Sequence, residues 1–314
     1  RCLAVAADSS LYVKIYGLTF SGCKGQGAVR TGGSALIPLG SYYSSTPNCV
    51  NAVRLINCTF RDCKSSESGG AVYFGGSGEN STMLFHTPVE TTISMWADAY
   101  GARAMRYFNQ FADSGLLAAD FEGITGSHLY HCTFENCTAP GGGAVYGVQE
   151  TQTGTVITDC TFRNCAAVNE KGAASGNGGA IHSALTAYRC TFDGCKAEKG
   201  YGGGCYNVWN VVCSLFRECS SQKGGGAIDR AGGTHVRVVN CTFDNCQAKE
   251  SKFLTVDTYG TGFEARDPVV GCLGYNLKVT PSADTYDTQD LSADQVDSTF
   301  VSRPSDYHIR PTDN

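Results

Sequence analysis

The side chains with most chemistry to offer are cysteines, and they recur at a fixed spacing. Cys58-Thr59-Phe60-Arg61-Asp62-Cys63 returns as Cys132 to Cys137, Cys160 to Cys165, Cys190 to Cys195 and Cys241 to Cys246. A variant runs from Cys213 to Cys219. So many thiols imply cross-links in an oxidising compartment, or metal and redox chemistry in a reducing one. A structural zinc needs two close pairs converging on one tetrahedral centre. Evenly spaced single pairs do not supply that, so disulfides are expected, with no metal or other cofactor. Two wirings are open. Bonds inside each turn use a complete pair per turn and let Cys213 shift without losing Cys219, and they are the expected arrangement. Bonds between stacked turns also fit, since parallel strands lie about 4.8 Å apart, within the Cα separation a disulfide spans. Cys2, Cys23, Cys49, Cys205 and Cys272 remain. A total of 17 leaves at least one cysteine unpaired or bonded to another chain.

A second phrase follows most copies of the first: Gly69-Gly70-Ala71-Val72, Gly142-Gly143-Ala144-Val145, Gly178-Gly179-Ala180-Ile181, Gly203-Gly204-Cys205-Tyr206 and Gly225-Gly226-Ala227-Ile228. With Val72, Val145, Ile181, Tyr206 and Ile228 pointing inward, the next positions form an outward column. That column is Tyr73, Tyr146, His182, Asn207 and Asp229, a candidate ligand-binding stripe for a glycan or a protein partner. The plain alternative is ordinary solvent-facing strand positions. Glycoside hydrolysis needs two carboxylates at a set separation, and the stripe has no such pair. No polygalacturonase or pectate-lyase signature is present either, so no catalytic residue is expected. Asn57, Asn80, Asn136 and Asn240 open N-x-Ser/Thr sequons and are glycosylation candidates. Asn57 and Asn240 share a place with His131, Asp159 and Arg189, where an inward Asn would cap a buried corner. His128 and His131 fall on opposite faces of a strand, which argues against a metal pair.

These residues must be positioned by a repeat. The recurrent Phe residues stand at 20, 60, 134, 162, 192, 216 and 243, with four consecutive steps of 28, 30, 24 and 27 residues. Units of that length suit one turn of a β-solenoid better than a pair of amphipathic helices. The segments before the cysteines, such as Val53-Arg54-Leu55-Ile56-Asn57, are short, β-branched and alternating. Alone they cannot bury an apolar side; stacked, they form a continuous core with the Phe rings in one interior column. The Gly-Gly pairs suit tight corners. The period breaks most widely at about residues 79–127, a lateral insertion whose stretch from Met95-Trp96 to Phe111-Ala112 is expected to form a short helix.

The alternation of Gly-Gly-Ala-Ile/Val with a Phe-centred phrase resembles the repeats of polymorphic outer-membrane proteins, over roughly residues 15–250. The resemblance implies a right-handed parallel β-helix of the kind found in surface-exposed autotransporter passengers and adhesins. Where those repeats carry Phe-x-x-Asn, this chain has Cys63, Cys137, Cys165, Cys195, Cys219 or Cys246. The segment from Ala293 to Phe300, with Asp306-Tyr307-His308-Ile309-Arg310-Pro311, is similar to the closing part of secreted right-handed β-helix proteins.

Composition narrows the function. With 24 Lys+Arg against 29 Asp+Glu and no basic tract, nucleic acid is a poor partner. No apolar run reaches the roughly 18–20 residues that cross a bilayer, so no membrane insertion is expected. The chain starts at Arg1, as a processed or excised piece of a secreted protein would. The expectation is an all-β, right-handed parallel β-helix over residues 1–250, followed by final coils and a C-terminal cap or linker over 251–314. Seven to nine turns would make it about 35–45 Å long. Its expected role is a non-catalytic extracellular or cell-surface module for adhesion or for building a fibre, self-associating or contacting other surface proteins or glycans. The alternative is a carbohydrate-binding or polysaccharide-degrading β-helix.

Overall fold

The computed structural model describes residues 3–5, 11–25, 27–31, 51–74, 127–147, 155–168, 176–230 and 237–249. It also describes short strands at 254–256, 269–270, 272–275, 288–290, 300–302 and 306–309. The insertion, with its expected helix, lies outside the described residues except for Ser127. Every regular element among the described residues is a strand.

Parallel strands stack into three sheets, an arrangement compatible with a β-solenoid. A nine-stranded sheet carries the Thr-Phe segments: Thr19–Ser21, Thr59–Arg61, Thr133–Glu135, Thr161–Arg163, Thr191–Asp193, Leu215–Arg217 and Thr242–Asp244, continued by Cys272–Tyr275 and Thr288–Asp290. Five two-residue strands, from Thr138–Ala139 to Gln247–Ala248, make the second sheet. The third has fourteen strands and holds both the segments before the cysteines and those after Gly-Gly; the long strands Ile181–Tyr188 and Cys205–Val212 belong to both sets. Stacking continues past residue 250, since Leu254–Val256 pairs Ile228–Arg230 and Cys272–Tyr275 pairs Thr242–Asp244. Phe300–Ser302 and Asp306–Ile309 instead form an antiparallel pair.

Register is strict, with Phe20 beside Phe60, Phe60 beside Phe134, and so on to Phe243. The rings stack in one column with centroids 5.0, 4.8, 4.8, 5.0, 4.4 and 5.3 Å apart. From Phe60 to Phe243 they are wholly buried. Burying such a side chain stabilises by roughly 1.5–3 kcal/mol, and a stacked pair adds about 0.5–1.5 kcal/mol. Neighbouring core columns run Leu55, Leu129, Ile157, Ala187, Val211, Val238 and Val72, Val145, Ile181, Cys205, Ile228.

The Gly-Gly phrase has two separate causes. Gly69, Gly142, Gly178, Gly202 and Gly225 have φ between +60° and +78°. The glycine after each is held by crowding: a Cβ on Gly143 would sit 2.1 Å from the Gly179 carbonyl oxygen, and one on Gly179 1.9 Å from that of Gly203. No side chain fits where successive backbones approach this closely. Left-handed residues also turn the chain on either side of each Thr-Phe strand. Asn57, His131, Asp159, Arg189, Cys213 and Asn240 form one such column; Asp62, Asn136, Asn164, Glu218 and Asn245 are in the other, with φ near +50° throughout. Asn57 and Asn240 are exposed, not buried corner caps as expected. The left-handed turn points them outward between one inward residue and the next.

Two substitutions test this packing. Phe162→Ala should destabilise the fold by about 3–5 kcal/mol through the cavity it leaves. Gly179→Ala, which adds only a methyl, should be comparably damaging because the obstacle is backbone. Urea unfolding followed by far-UV circular dichroism measures both; a loss below 1 kcal/mol in either would contradict the stacking described.

Candidate functional site

Outward positions repeat as faithfully as inward ones. Tyr73 lies beside Tyr146, Tyr146 beside His182, His182 beside Tyr206 and Tyr206 beside Asp229. Register therefore puts Tyr206, not Asn207, between His182 and Asp229, and Asp229 at the end of this column is buried, 3% exposed. Three consecutive glycines, Gly202-Gly203-Gly204, allow two alignments of the phrase, and the register selects the one that puts Gly204 in the alanine column and Cys205 in the inward column. A Cβ at Gly204 would meet Phe216 Cε1 at 2.7 Å. Asn207 is a left-handed residue one place later, matching Ser183 of the previous rung, with φ of 59° and 60°. The step of 24 residues from Phe192 to Phe216 is also the step from Ile181 to Cys205, a signal that could have found Tyr206 in advance.

The rings of this stripe stack on one another. Tyr73 and Tyr146 centroids are 5.2 Å apart with planes 13° from parallel, and Tyr146 and His182 are 4.7 Å apart at 18°. Tyr206 tilts by 51° at 5.0 Å from His182, with Tyr201 6.4 Å from it on the other side. Lys223 Nζ sits 5.2 Å from the Tyr201 ring centroid. Stacking covers ring faces and leaves edges and polar tips outward, so the column offers hydrogen bonds at rung spacing more than flat platforms for sugars.

Burial sets the protonation of these groups. It holds the His182 imidazole down, to about 4, with Nδ1 2.9 Å from Ser183 Oγ. Burial also raises the Tyr146 phenol, helped by Tyr73, and raises that of Tyr206, helped by the Asp229 charge. His182 is thus neutral at pH 7. His128, buried on another part of the third sheet, is held at about 3 by burial and by the Arg54 charge, and its Nε2 lies 3.2 Å from Thr158 Oγ1. His131 is an exposed corner residue 4.0 Å from Asp159. Among the described residues no group of three or more His, Cys, Asp or Glu is placed to hold a metal ion.

Asp229 is the stripe's single carboxylate. Elsewhere, acids face arginines one rung away. Arg61, Glu135, Arg163, Asp193, Arg217 and Asp244 form one column of alternating charge. Glu135 accepts from Arg61 Nε at 2.8 Å and Arg163 Nη1 at 3.4 Å, and Asp193 accepts from Arg217 Nε at 2.9 Å. At the corner, Asp159 takes both prongs of Arg189, at 2.7 and 2.6 Å. Exposed pairs of this kind contribute about 0.2–1 kcal/mol each.

The expected bonds within each turn are absent. Cys58, Cys63, Cys132, Cys137, Cys160, Cys165, Cys190, Cys195, Cys213, Cys219, Cys241 and Cys246 all carry thiols, as do Cys205 and Cys272. The two cysteines of a turn flank an inward Phe, and their thiols meet carbonyls of their own rung and of the one before: Cys63 Sγ lies 3.4 Å from Arg61 O and 3.7 Å from Phe20 O, Cys132 Sγ 3.4 Å from Tyr130 O and 3.3 Å from Leu55 O. Cys213 is not a column member. It occupies the exterior corner, and Ser214 takes the thiol's place, with Ser214 O accepting from Thr242 N as Cys132 O accepts from Thr161 N. Cys23 is disulfide-bonded. Of the sequon residues, Asn57, Asn136 and Asn240 are exposed, and Asn136 Nδ2 donates to Asp62 Oδ1 at 3.0 Å. Asn80 lies outside the described residues.

No family model, curated protein or solved structure matches this chain.

Because His128 and His182 are held below their ordinary value near 6.5, the unfolded chain binds more protons than the folded one between about pH 6.5 and pH 4. Stability should therefore fall as pH drops through that window. The loss should be smaller in the His128→Gln, His182→Gln double variant. Thermal melts at pH 7 and 4.5 measure the difference; equal losses in both proteins would contradict this burial.

Proposed function

We propose that the chain is a right-handed parallel β-helix acting as a non-catalytic, extracellular adhesive or fibre-forming module, akin to the surface proteins its repeats resemble. The observation that carries this reading is that, among the described residues, the charged column and the aromatic stripe run along the stack, each side chain beside its counterpart, and do not converge on a centre. Acids in the charged column and at the Asp159 corner face arginines, the stripe's rings face one another, and its one carboxylate has no acid in register beside it among the described residues, where glycosidic chemistry needs a pair. Such a surface suits a stiff rod that makes repetitive contacts. Exposed Asn57, Asn136 and Asn240 agree with a glycosylated exterior. A stacked solenoid also offers strand edges at its ends, where further copies can add.

Sedimentation velocity over a wide concentration range, with negative-stain imaging, tests the proposal. Rod-shaped multimers that lengthen with concentration are expected; a strictly monomeric species at high concentration would remove the fibre version. The second reading, glycan contact, is favoured by the polar tips of Tyr73, Tyr146, His182 and Tyr206. It predicts binding on a panel of acidic polysaccharides that weakens at least tenfold in Tyr146→Ala. Turnover of any of them, abolished by His182→Ala or Asp229→Ala, would overturn the non-catalytic assignment.

A further inference from the structure

Thiols in this fold stand in two vertical files. In one, the cysteines after the Phe, Cys63, Cys137, Cys165, Cys195, Cys219 and Cys246, follow one another rung by rung. Cys63 O accepts from Thr138 N, Cys137 O from Ala166 N, Cys165 O from Lys196 N, Cys195 O from Ser220 N and Cys219 O from Gln247 N. Each Sγ points at the previous rung, reaching the carbonyl oxygen of Phe20, Phe60, Phe134, Phe162, Phe192 and Phe216 in turn, at 3.5–3.7 Å. In the other file are Cys58, Cys132, Cys160 and Cys190, then Ser214, then Cys241 and Cys272. Ser214 Oγ accepts from Cys190 N at 3.1 Å, where Cys160 Sγ accepts from Cys132 N at 3.4 Å and Cys272 Sγ from Cys241 N at 3.4 Å.

We propose that oxidation staples adjacent rungs in a single wiring, Cys63–Cys137, Cys165–Cys195, Cys219–Cys246, Cys58–Cys132, Cys160–Cys190 and Cys241–Cys272. Parity selects it. With Cys23 already bonded, six thiols remain in the first file, and pairing all of them between neighbours leaves one solution. Ser214 breaks the second file into runs of four and two, each with one complete pairing. Stacked strands about 4.8 Å apart bring the Cα atoms within disulfide range. Cys205 and Cys213 have no cysteine in register: the neighbours of Cys205 are Ile181 and Ile228. They stay reduced.

The chemistry needs an oxidant, here a small-molecule disulfide such as oxidised glutathione. One protein thiolate attacks it, forming a mixed disulfide and releasing one glutathione thiolate. The neighbouring thiolate then attacks the protein sulfur of that bond, closing the staple and releasing the second. Two protein thiols lose two protons and two electrons, and one glutathione disulfide becomes two thiols. Burial of the files in the finished fold places this step during folding. The inference rests on strand register, not on the adhesive reading.

The full chain, reduced and unfolded, is refolded in a reduced/oxidised glutathione buffer, alkylated and digested without reduction for mass spectrometry. Cleavage after Arg61, Glu135 and Arg163 and before Asp193 separates the two cysteines of a turn. The expected map contains the six cross-links above, with Cys205 and Cys213 alkylated. Links within a turn such as Cys58–Cys63, offset links such as Cys137–Cys165, or alkylation of every file thiol in the refolded protein would each overturn the proposal. In Cys165→Ser, alkylation should appear at Cys195 alone among file members, with Cys63–Cys137 intact. Loss of Cys63–Cys137 in that variant would also count against it. Should Cys165→Ser fail to fold, the wild-type map decides by itself.

Discussion

Everything in this molecule follows from like lying on like. In-register parallel pairing places each residue beside its own counterpart one rung away, at the rise of a β-ladder. A residue type that cannot tolerate its own kind as a neighbour is therefore excluded from a column, and one that gains from it is kept. Phenylalanine gains, because each ring covers the next and the column stays dry. Glycine is kept for the opposite reason, since at Gly143, Gly179 and Gly203 the next backbone occupies the space a Cβ would need.

Charges obey the same constraint with opposite outcome. Like charges at rung spacing would repel, so the exterior position after the Phe alternates in sign from Arg61 through Glu135, Arg163 and Asp193 to Arg217 and Asp244. Neutral groups escape the restriction: Tyr73, Tyr146 and His182 stack directly because burial keeps the imidazole uncharged. Cysteines also accumulate in files, rung on rung.

The corners show a different economy. Arg189 and Glu218 adopt φ near +50° although glycine, asparagine and aspartate are the residues that do so readily. Hydrogen bonds between rungs hold these turns, as from Asn57 N to Tyr130 O, from Asp159 N to Tyr188 O and from Arg189 N to Val212 O. Side chains there are directed outward, free to vary chemically, which is why Asn, His, Asp, Arg and Cys succeed one another in a single column.

Much of the architecture was legible in the residues alone. The period, the Phe column, the Gly-Gly corners and the shared column of Tyr73, Tyr146, His182 and Asp229 are properties of a repeated phrase, and repetition in a stack means superposition; that Asp229 is buried within it was not. What spacing left undecided was anything that turns on one residue of register or on the direction of a side chain. Tyr206 replaced Asn207 because Gly202-Gly203-Gly204 reads two ways in one dimension, and only packing of Gly204 against Phe216 separates them. Ser214 displaced Cys213 for a similar reason: a one-residue shift in a strand moves a side chain to the other face. The two cysteines of a turn are close in sequence, yet the fold puts a phenylalanine between them and stacks each above a cysteine of another turn, its thiol reaching a carbonyl of the preceding rung.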